Sequence, residues 1–309
     1  MLGLKSTCLY AVDLDKDCIS SHKNNIRSAH YDLKNIEEVV DYDVLVDITL
    51  DDFCIDISKI EAVITDRTKA IIPVHEFGQS ADIDPILAIA KQYNLMIVED
   101  AACALGSEYK GKKAGTFGKM GCFSFHPRKA ITTGEGGMIT TNNESIAESC
   151  YSFKHFGAKG NSFEIIGTNY KMSNVLSAIG LVQMQKIESI IKMRNDKAEI
   201  YRELLSSIGY ITPAYVGKGT RQTFQSYTCY VEKDKHRDKI RNALANENIQ
   251  SQIGTYALHL EPAYANMKKV GSLENSELLY KNALTLGGII SEDHEIMKPL
   301  LEFLNNANL

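Results

Sequence analysis

The chain contains no tryptophan, has 6 prolines among 309 residues, and carries no apolar run near the roughly 20 residues that a bilayer-spanning helix requires. Its first residues, MLGLKSTCLYAVDLDKD, lack a basic stretch followed by an apolar one. The reading is therefore a soluble, cytoplasmic protein without a leader and without a membrane partner. No G-x-G-x-x-G follows a strand pattern and no G-x-x-x-x-G-K-[ST] occurs, which argues against a dinucleotide-binding dehydrogenase and a P-loop enzyme. Cysteine is present but unpatterned: Cys8, Cys18, Cys54, Cys103, Cys122, Cys150 and Cys229 are odd in number, widely spaced and without a C-x-x-C pair. That excludes a disulfide framework and a zinc ribbon, so reduced thiols and no metal site are expected. Charge of one sign is also scarce, with Lys+Arg 34 against Asp+Glu 39, a net −5 and a pI near 5.9. Such a mixed, mildly acidic surface offers nothing to displace phosphate counterions, so no nucleic-acid partner is expected.

What the sequence does have is an ordinary globular composition, 44% hydrophobic and 24% charged, in a length that suits one large domain with a smaller one appended. From residue 44 short β-branched runs alternate with helical patterns. Val44 to Ile48 reads as a buried strand, Ile57 to Ile64 as a helix, Ala70 to Val74 as a strand, Asp84 to Asn94 as a helix and Leu95 to Asp100 as a strand. Alternation of this kind predicts parallel strands joined by helical crossovers, an α/β fold with a mainly parallel sheet. Two further strands are expected at Gly121 to Phe125 and Gly136 to Thr141. A long helical pattern follows, with Ser173 as N-cap and Gly209 as its stop. Beyond it, Ser226 to Glu232 as strand, His236 to Ile249 as helix, a strand at SQIGTY and terminal helices predict a small α+β unit. The expected division is a large α/β domain over 1–205 and a small one over 206–309.

In open α/β sheets ligands lie beyond the carboxyl ends of the strands, where Asp100 falls. Lys129 follows 29 residues later in a turn flanked by Ser124, His126 and glycine-rich backbone. A lysine able to form a Schiff base with an aldehyde cofactor, and an aspartate able to hold a pyridinium nitrogen, are the two groups that pyridoxal phosphate chemistry asks of a protein. Ser124 and nearby backbone N–H groups suit a phosphate dianion.

Three stretches, the run from Val44 to Ile86, the run from Val98 to Thr141 and GTNYKMSNVLSAIGLVQM, together resemble the DegT/DnrJ/EryC1/StrS family of sugar aminotransferases. The resemblance extends more weakly through GTYALHLEPAY and covers roughly residues 44 to 300. It implies an aspartate aminotransferase-like (fold type I) architecture that uses pyridoxal 5'-phosphate. Lys129 would be the Schiff-base lysine and proton shuttle, Asp100 the partner of the ring nitrogen, Ala102 a packing surface for one ring face and Ser124 a phosphate ligand. Asn169 would reach the phosphate of a neighbouring subunit's cofactor, implying a homodimer with shared sites. His126, Tyr256 and His259 would lie near substrate, although a packed aromatic and a satisfied imidazole describe the latter two equally well. The implied reaction moves an amino group from a donor, expected to be glutamate, to a keto group on a nucleotide-linked deoxysugar in polysaccharide or deoxysugar biosynthesis.

Two departures from the family pattern are visible. Cys103 stands where the family usually has a glutamine that bonds the cofactor's ring oxygen, and a thiol is a weak donor. Residues 1–43 hold neither the family's G-[TS]-x-A phosphate turn nor a ring-stacking aromatic in recognisable form; the nearest piece is Gly3 to Thr7. Near the other end Gly287 and Gly288 replace an expected Leu-Pro-Leu strand. An alternative therefore stands beside the enzyme: a shortened, catalytically impaired member that acts as a non-catalytic dimer partner.

Overall fold

The computed structural model describes residues 9–10, 44–213, 215–232, 237–264, 268–269 and 271–287. The expected divergence over residues 1–43 and the Gly288 position lie outside these, apart from residues 9–10. The central sheet is built from β1 (Leu9–Tyr10), β2 (Ala70–Ile71), β3 (Met96–Asp100), β4 (Met120–Ser124) and β5 (Gly137–Thr140), in the order β1-β5-β4-β3-β2. β2, β3 and β4 run parallel, with Ala70 opposite Met96 and Val98 opposite Met120. β5 and β1 are antiparallel to their neighbours.

The crossover from β2 to β3 is α2 (Ile83–Gln92), which follows the short helix α1 (Ile57–Ile60) in the chain. Asp82 enters it in extended conformation, and Pro85 sits in the first turn, where its missing N–H costs nothing. Ile83, Ile86, Ile89 and Ala90 fall on one face and are buried with Ile60, Ile71 and Ile97 beneath the sheet. Complete burial of an isoleucine such as Ile83 or Ile86 is worth about 1.5–3 kcal/mol relative to exposure. A second cluster packs Ala101, Phe123, Phe125 and Ile131 with Ile187 and Ile191.

Helix α3 (Glu144–Lys154) leads to an exposed hairpin, and then Ser173 caps α4 (Asn174–Met184) by accepting from the Leu176 N–H at 3.3 Å. The single long helix expected after Ser173 is two helices. α4 stops at Gln185 and α5 (Ile187–Leu205) starts after Lys186, because the two faces want different surroundings. α4 buries none of its residues, whereas α5 buries seven, including Ile187 and Ile191 in the large core and Ala198, Tyr201 and Leu205 in the small one.

The small unit is a four-stranded antiparallel sheet of β6 (Ile211–Thr212), β7 (Tyr227–Val231), β8 (Ser251–Ile253) and β9 (Ala283–Leu286), in the order β6-β7-β9-β8. Helix α6 (Arg237–Asn246) covers it through Ile240 and Leu244, and α7 (Glu274–Asn282) precedes β9. Strand β9 occupies a place expected to be helical, and its Ala-Leu-Thr-Leu run accounts for this: Ala283, Leu284 and Leu286 are all buried in the centre of the sheet.

Val44 to Ile48 also differs from the expectation. Only Val44–Leu45 is strand, paired in parallel with Lys268–Lys269, and Ile48 bridges to Ile55. This segment joins the two units instead of entering the central sheet. Among the described residues, no helix is long and apolar enough to cross a membrane.

Candidate active site

Asp100 ends β3, and the pleat places it on the opposite face from Glu99. Glu99 is fully buried and accepts from the backbone N–H groups of Gly115, Phe117 and Gly118 and from His75 Nε2 at 3.0 Å. Burial pushes its carboxyl up, but the hydrogen bonds from His75 and the amides outweigh this and hold it below the usual range. His75 Nδ1 accepts from the Ala81 N–H at 3.1 Å, which leaves Nε2–H to face Glu99. Its own backbone N–H donates to the Asp100 carbonyl at 2.9 Å, and Asp100 N–H donates to Pro73 at 3.0 Å. The strand ends of β2 and β3 are thus locked together. Of the Asp100 carboxylate, Oδ1 accepts from the Ala102 N–H at 3.0 Å, while no hydrogen bond among the described residues reaches Oδ2.

The lysine sits between β4 and β5 in a turn that the local sequence closes on itself. Ser124 Oγ accepts from the His126 N–H at 3.3 Å, His126 Nδ1 from the Arg128 N–H at 3.2 Å, and the His126 carbonyl from the Lys129 N–H at 2.9 Å. Thr132 donates its hydroxyl to the Phe125 carbonyl at 2.9 Å and its N–H to Gln183 of α4 at 3.1 Å. Gln225, from the entrance to β7, donates to the Arg128 carbonyl at 2.5 Å. Lys129 Nζ is half-buried and donates to Cys103 Sγ at 3.1 Å, with no carboxylate within ion-pair distance among the described residues. Burial, followed by the negative charge of Glu76, raises the Cys103 thiol above its ordinary range, so it faces Lys129 as a neutral thiol.

Asp100 is thus hydrogen-bonded to Ala102 and Lys129 to Cys103, two pairs that the chain joins at the Ala102–Cys103 peptide, with Ser124 and His126 in the turn that carries the lysine. The His126 Nε2 atom lies 3.9 Å from Glu135. Asn169 is exposed and stands across a bridge from His155, next to Ile165 and Ile166, which are 48% and 67% exposed. Tyr256 stacks on Tyr280 at 5.9 Å between ring centroids, and His259 is buried with Nε2 3.2 Å from Glu277 of α7. Both thus have partners in the small unit.

The charges of Asp100 and Lys129 act on one further group, which sequence reading passed over. Glu76 follows the end of β2, and Phe77 after it adopts a left-handed backbone with φ 53°. Gly78 continues the turn at φ 93°, where an added Cβ would come within 2.6 Å of Thr223 Oγ1. The Glu76 carboxyl has no hydrogen-bond or ion-pair partner among the described residues. Burial, then the charge of Asp100, lifts it to about 7, against the lowering pull of Lys129. The strand-end rule that selects Asp100 would have selected Glu76 as well. Gln225 and Gln183, which brace the lysine turn from the small unit and from α4, left no local signal.

These residues fit pyridoxal 5'-phosphate. A lysine amine free of any carboxylate, a strand-end carboxylate with one oxygen available, small Ala102 beside it and a hydroxyl at Ser124 are the donor set that the group requires. Among the described residues no cluster of His, Cys, Asp and Glu is arranged to hold a metal ion.

A parallel-centred sheet with this lysine turn between two of its inner strands, accompanied by a small antiparallel unit, is a fold type I architecture. The structure of DesV from S. venezuelae, solved in complex with a ketimine intermediate, superposes with a TM-score of 0.79 at 28% identity, covering 85% of this chain and 72% of that one. Residues 33–296 match the DegT/DnrJ/EryC1/StrS aminotransferase family, and the chain belongs to that family. The GDP-perosamine synthase of Caulobacter vibrioides is 40% identical over 230 residues, 72% of this chain and 62% of the relative. The GDP-perosamine synthase of Escherichia coli O157:H7 is 34% identical over 260 residues, 77% of this chain and 70% of the relative. The chain thus spans 62% and 70% of the lengths of these two synthases.

Proposed function

We propose that the protein is a pyridoxal 5'-phosphate-dependent sugar aminotransferase that passes an amino group from glutamate to a keto group of a nucleotide-linked deoxysugar. The observation that carries this reading is the Lys129 amine, held 3.1 Å from a thiol and free of any carboxylate, in the same cluster as the half-free Asp100. Bound there, the cofactor would supply an electron sink for the carbon whose proton is moved. Lys129 binds it covalently and, when released, takes and returns that proton through Nζ. Asp100 Oδ2 holds the ring nitrogen in its protonated state, and Ala102 leaves room for the ring. Ser124 and the turn amides bind phosphate.

The relatives' names, two GDP-perosamine synthases and a putative L-glutamine:3-amino-2,3-dideoxy-scyllo-inosose aminotransferase, support amino transfer and, for the former, a nucleotide-sugar acceptor. They favour the enzyme over a non-catalytic partner. A second copy of the chain fits the exposed apolar face of α4, where Val175, Leu181 and Val182 are 71%, 69% and 54% exposed, and Asn169 lies on the hairpin side of that helix. His126, Tyr256 and His259 remain the candidates for sugar contact, and the cytoplasm is the expected location.

The test is reconstitution with pyridoxal phosphate. Wild type should develop a visible absorbance band that glutamate bleaches, and Lys129→Ala should not. Asp100→Asn should keep the band and slow the bleaching by at least tenfold. An identical spectrum for wild type and Lys129→Ala sinks the reading.

A further inference from the structure

A primary amine and a thiol are in direct contact in this structure. Lys129 Nζ, on the turn after β4, donates to Cys103 Sγ, on the loop after β3, at 3.1 Å. Both residues are partly exposed, so a small solute reaches them from solvent. Of the five described cysteines, Cys103 is the one hydrogen-bonded to an amine. Cys54 and Cys229 are buried and turn their thiols to the carbonyls of Gln79 and Leu284. Burial drives the Cys229 thiol up to about 12 and the Cys54 thiol well above its ordinary range, which leaves both inert.

A thiol oxidised to a sulfenic acid is captured by a neighbouring nucleophile, a second thiol or a nitrogen. At Cys103 the nucleophile in contact is the Lys129 amine, carried on a flexible four-carbon stem that closes the short remaining distance. Burial, then the charge of Glu76, raises the Cys103 thiol, while the charge and hydrogen bond of Lys129 pull it back down. The thiolate is the form that attacks an oxidant, so the raised thiol reacts slowly at neutral pH and faster as pH rises. Capture by nitrogen needs an unprotonated amine, and alkali favours that step in the same direction.

We propose that Cys103 and Lys129 form an oxidant-sensitive pair, in which hydrogen peroxide joins Sγ to Nζ as a reversible sulfenamide. First R–SH and H2O2 become R–SOH and H2O, the sulfur giving an electron pair to the O–O bond as that bond breaks. Then R–SOH and R′–NH2 become R–S–NH–R′ and H2O: the S–O bond breaks, the S–N bond forms, and the hydroxyl leaves with a proton from nitrogen. A dithiol reductant returns the thiol and the amine and is itself oxidised to a disulfide. The bridge rests on the contact alone. Its consequence rests on the aminotransferase reading, in which Lys129 binds the cofactor through the same atom. A bridged Nζ is withheld from the cofactor, and an Nζ joined to the cofactor is withheld from Cys103, so cofactor and oxidant compete for one nitrogen.

Two measurements test it. In the first, cofactor-free protein is treated with hydrogen peroxide between about pH 7 and 9, digested without reductant and read by peptide mass spectrometry. Wild type should yield the Cys103 and Lys129 peptides as one cross-linked pair, lighter than their sum by two hydrogens. The yield should rise with pH and vanish after dithiothreitol, and Cys103→Ser and Lys129→Arg should give no such pair. Cys103 recovered unmodified, as a sulfinic acid or as a disulfide, with Lys129 free, overturns the proposal. In the second, capture of pyridoxal phosphate is trapped at Lys129 by borohydride before and after peroxide. Wild type should lose capture and regain it with dithiothreitol, whereas Cys103→Ser should keep its own level through the treatment. An equal loss in Cys103→Ser and wild type overturns the proposal. A wild type that cross-links but never captures the cofactor, oxidised or not, overturns the aminotransferase reading and leaves the bridge standing.

Discussion

Arg194 is 1% exposed and, among the described residues, has no carboxylate partner. It donates instead to the Phe224 carbonyl and to Gln225 Oε1 at 3.1 and 3.3 Å. A guanidinium only donates, so the Gln225 oxygen must face it and the amide NH2 must face the Arg128 carbonyl, one residue before the lysine. Gln225→Leu should leave Arg194 and that carbonyl each short of a partner, costing about 1–3 kcal/mol in chemical denaturation. It should also slow cofactor capture at Lys129 more than it weakens sugar affinity. Asp100, Ser124 and Lys129 could be grouped from the sequence because all three lie within one run of chain whose order already encodes their proximity. Glu76 and Gln225 arrive from elsewhere through packing, and nothing in their own neighbourhoods announces where they end up. The contacts of His259 with Glu277 and of Tyr256 with Tyr280 likewise depend on packing that their own stretch of sequence does not encode.

At the scale of elements, the joint between the two units is an acid-sensitive one. Asp47 is 1% exposed and accepts from the first turn of α7, from the Asn275 N–H at 3.1 Å and the Ser276 N–H at 2.8 Å, as well as from the Ser276 hydroxyl and Lys59 Nζ. Burial pushes its carboxyl up, but these hydrogen bonds, led by Lys59 and then Ser276, overcome that and bring it down to about 2. A carboxyl depressed in the folded state adds stability above its unfolded value and loses it as pH falls through the folded one. The expected contribution is on the order of 2 kcal/mol, lost between about pH 4 and pH 2. Urea denaturation of Asp47→Asn should show a lower midpoint at pH 6 and a flatter decline towards pH 2 than wild type; equal slopes would contradict this. The capping role of Asp47 was hidden in a sequence that reads as a strand, since Val44 to Ile48 has the composition of one. Its partner, α7, lies more than two hundred residues away. By contrast α2 and β3 were legible, because periodicity and end signals agree within each of them.

Among the described residues one α-helix, α4, is left uncovered. α4 has no buried residue, yet its sequence, NVLSAIGLVQM, is mostly apolar. An outward face of this kind is unstable as a solvent boundary and marks an association surface. Leu181→Asp should convert a dimer to monomer in sedimentation velocity runs while leaving far-ultraviolet circular dichroism unchanged; a monomeric wild type would contradict the shared-site arrangement. The α/β alternation revealed the architecture, and the resemblance named the chemistry, but the split between α4 and α5 was invisible to periodicity. α4 is mostly apolar and α5 carries an apolar stripe among charged residues, but the helical spacing runs on through both, so it does not mark the break at Gln185.

That uncovered helix also touches the lysine turn. Gln183 of α4 accepts from the Thr132 N–H, and Gly180 lies so close to Thr133 that an added Cβ would stand 3.0 Å from its Cγ2. Whatever seats α4 therefore steadies the loop that presents Lys129. By mass action, dilution below the dissociation constant of that association would unseat both together. Catalysis per chain should then decline with falling protein concentration, so that the enzyme gauges its own abundance.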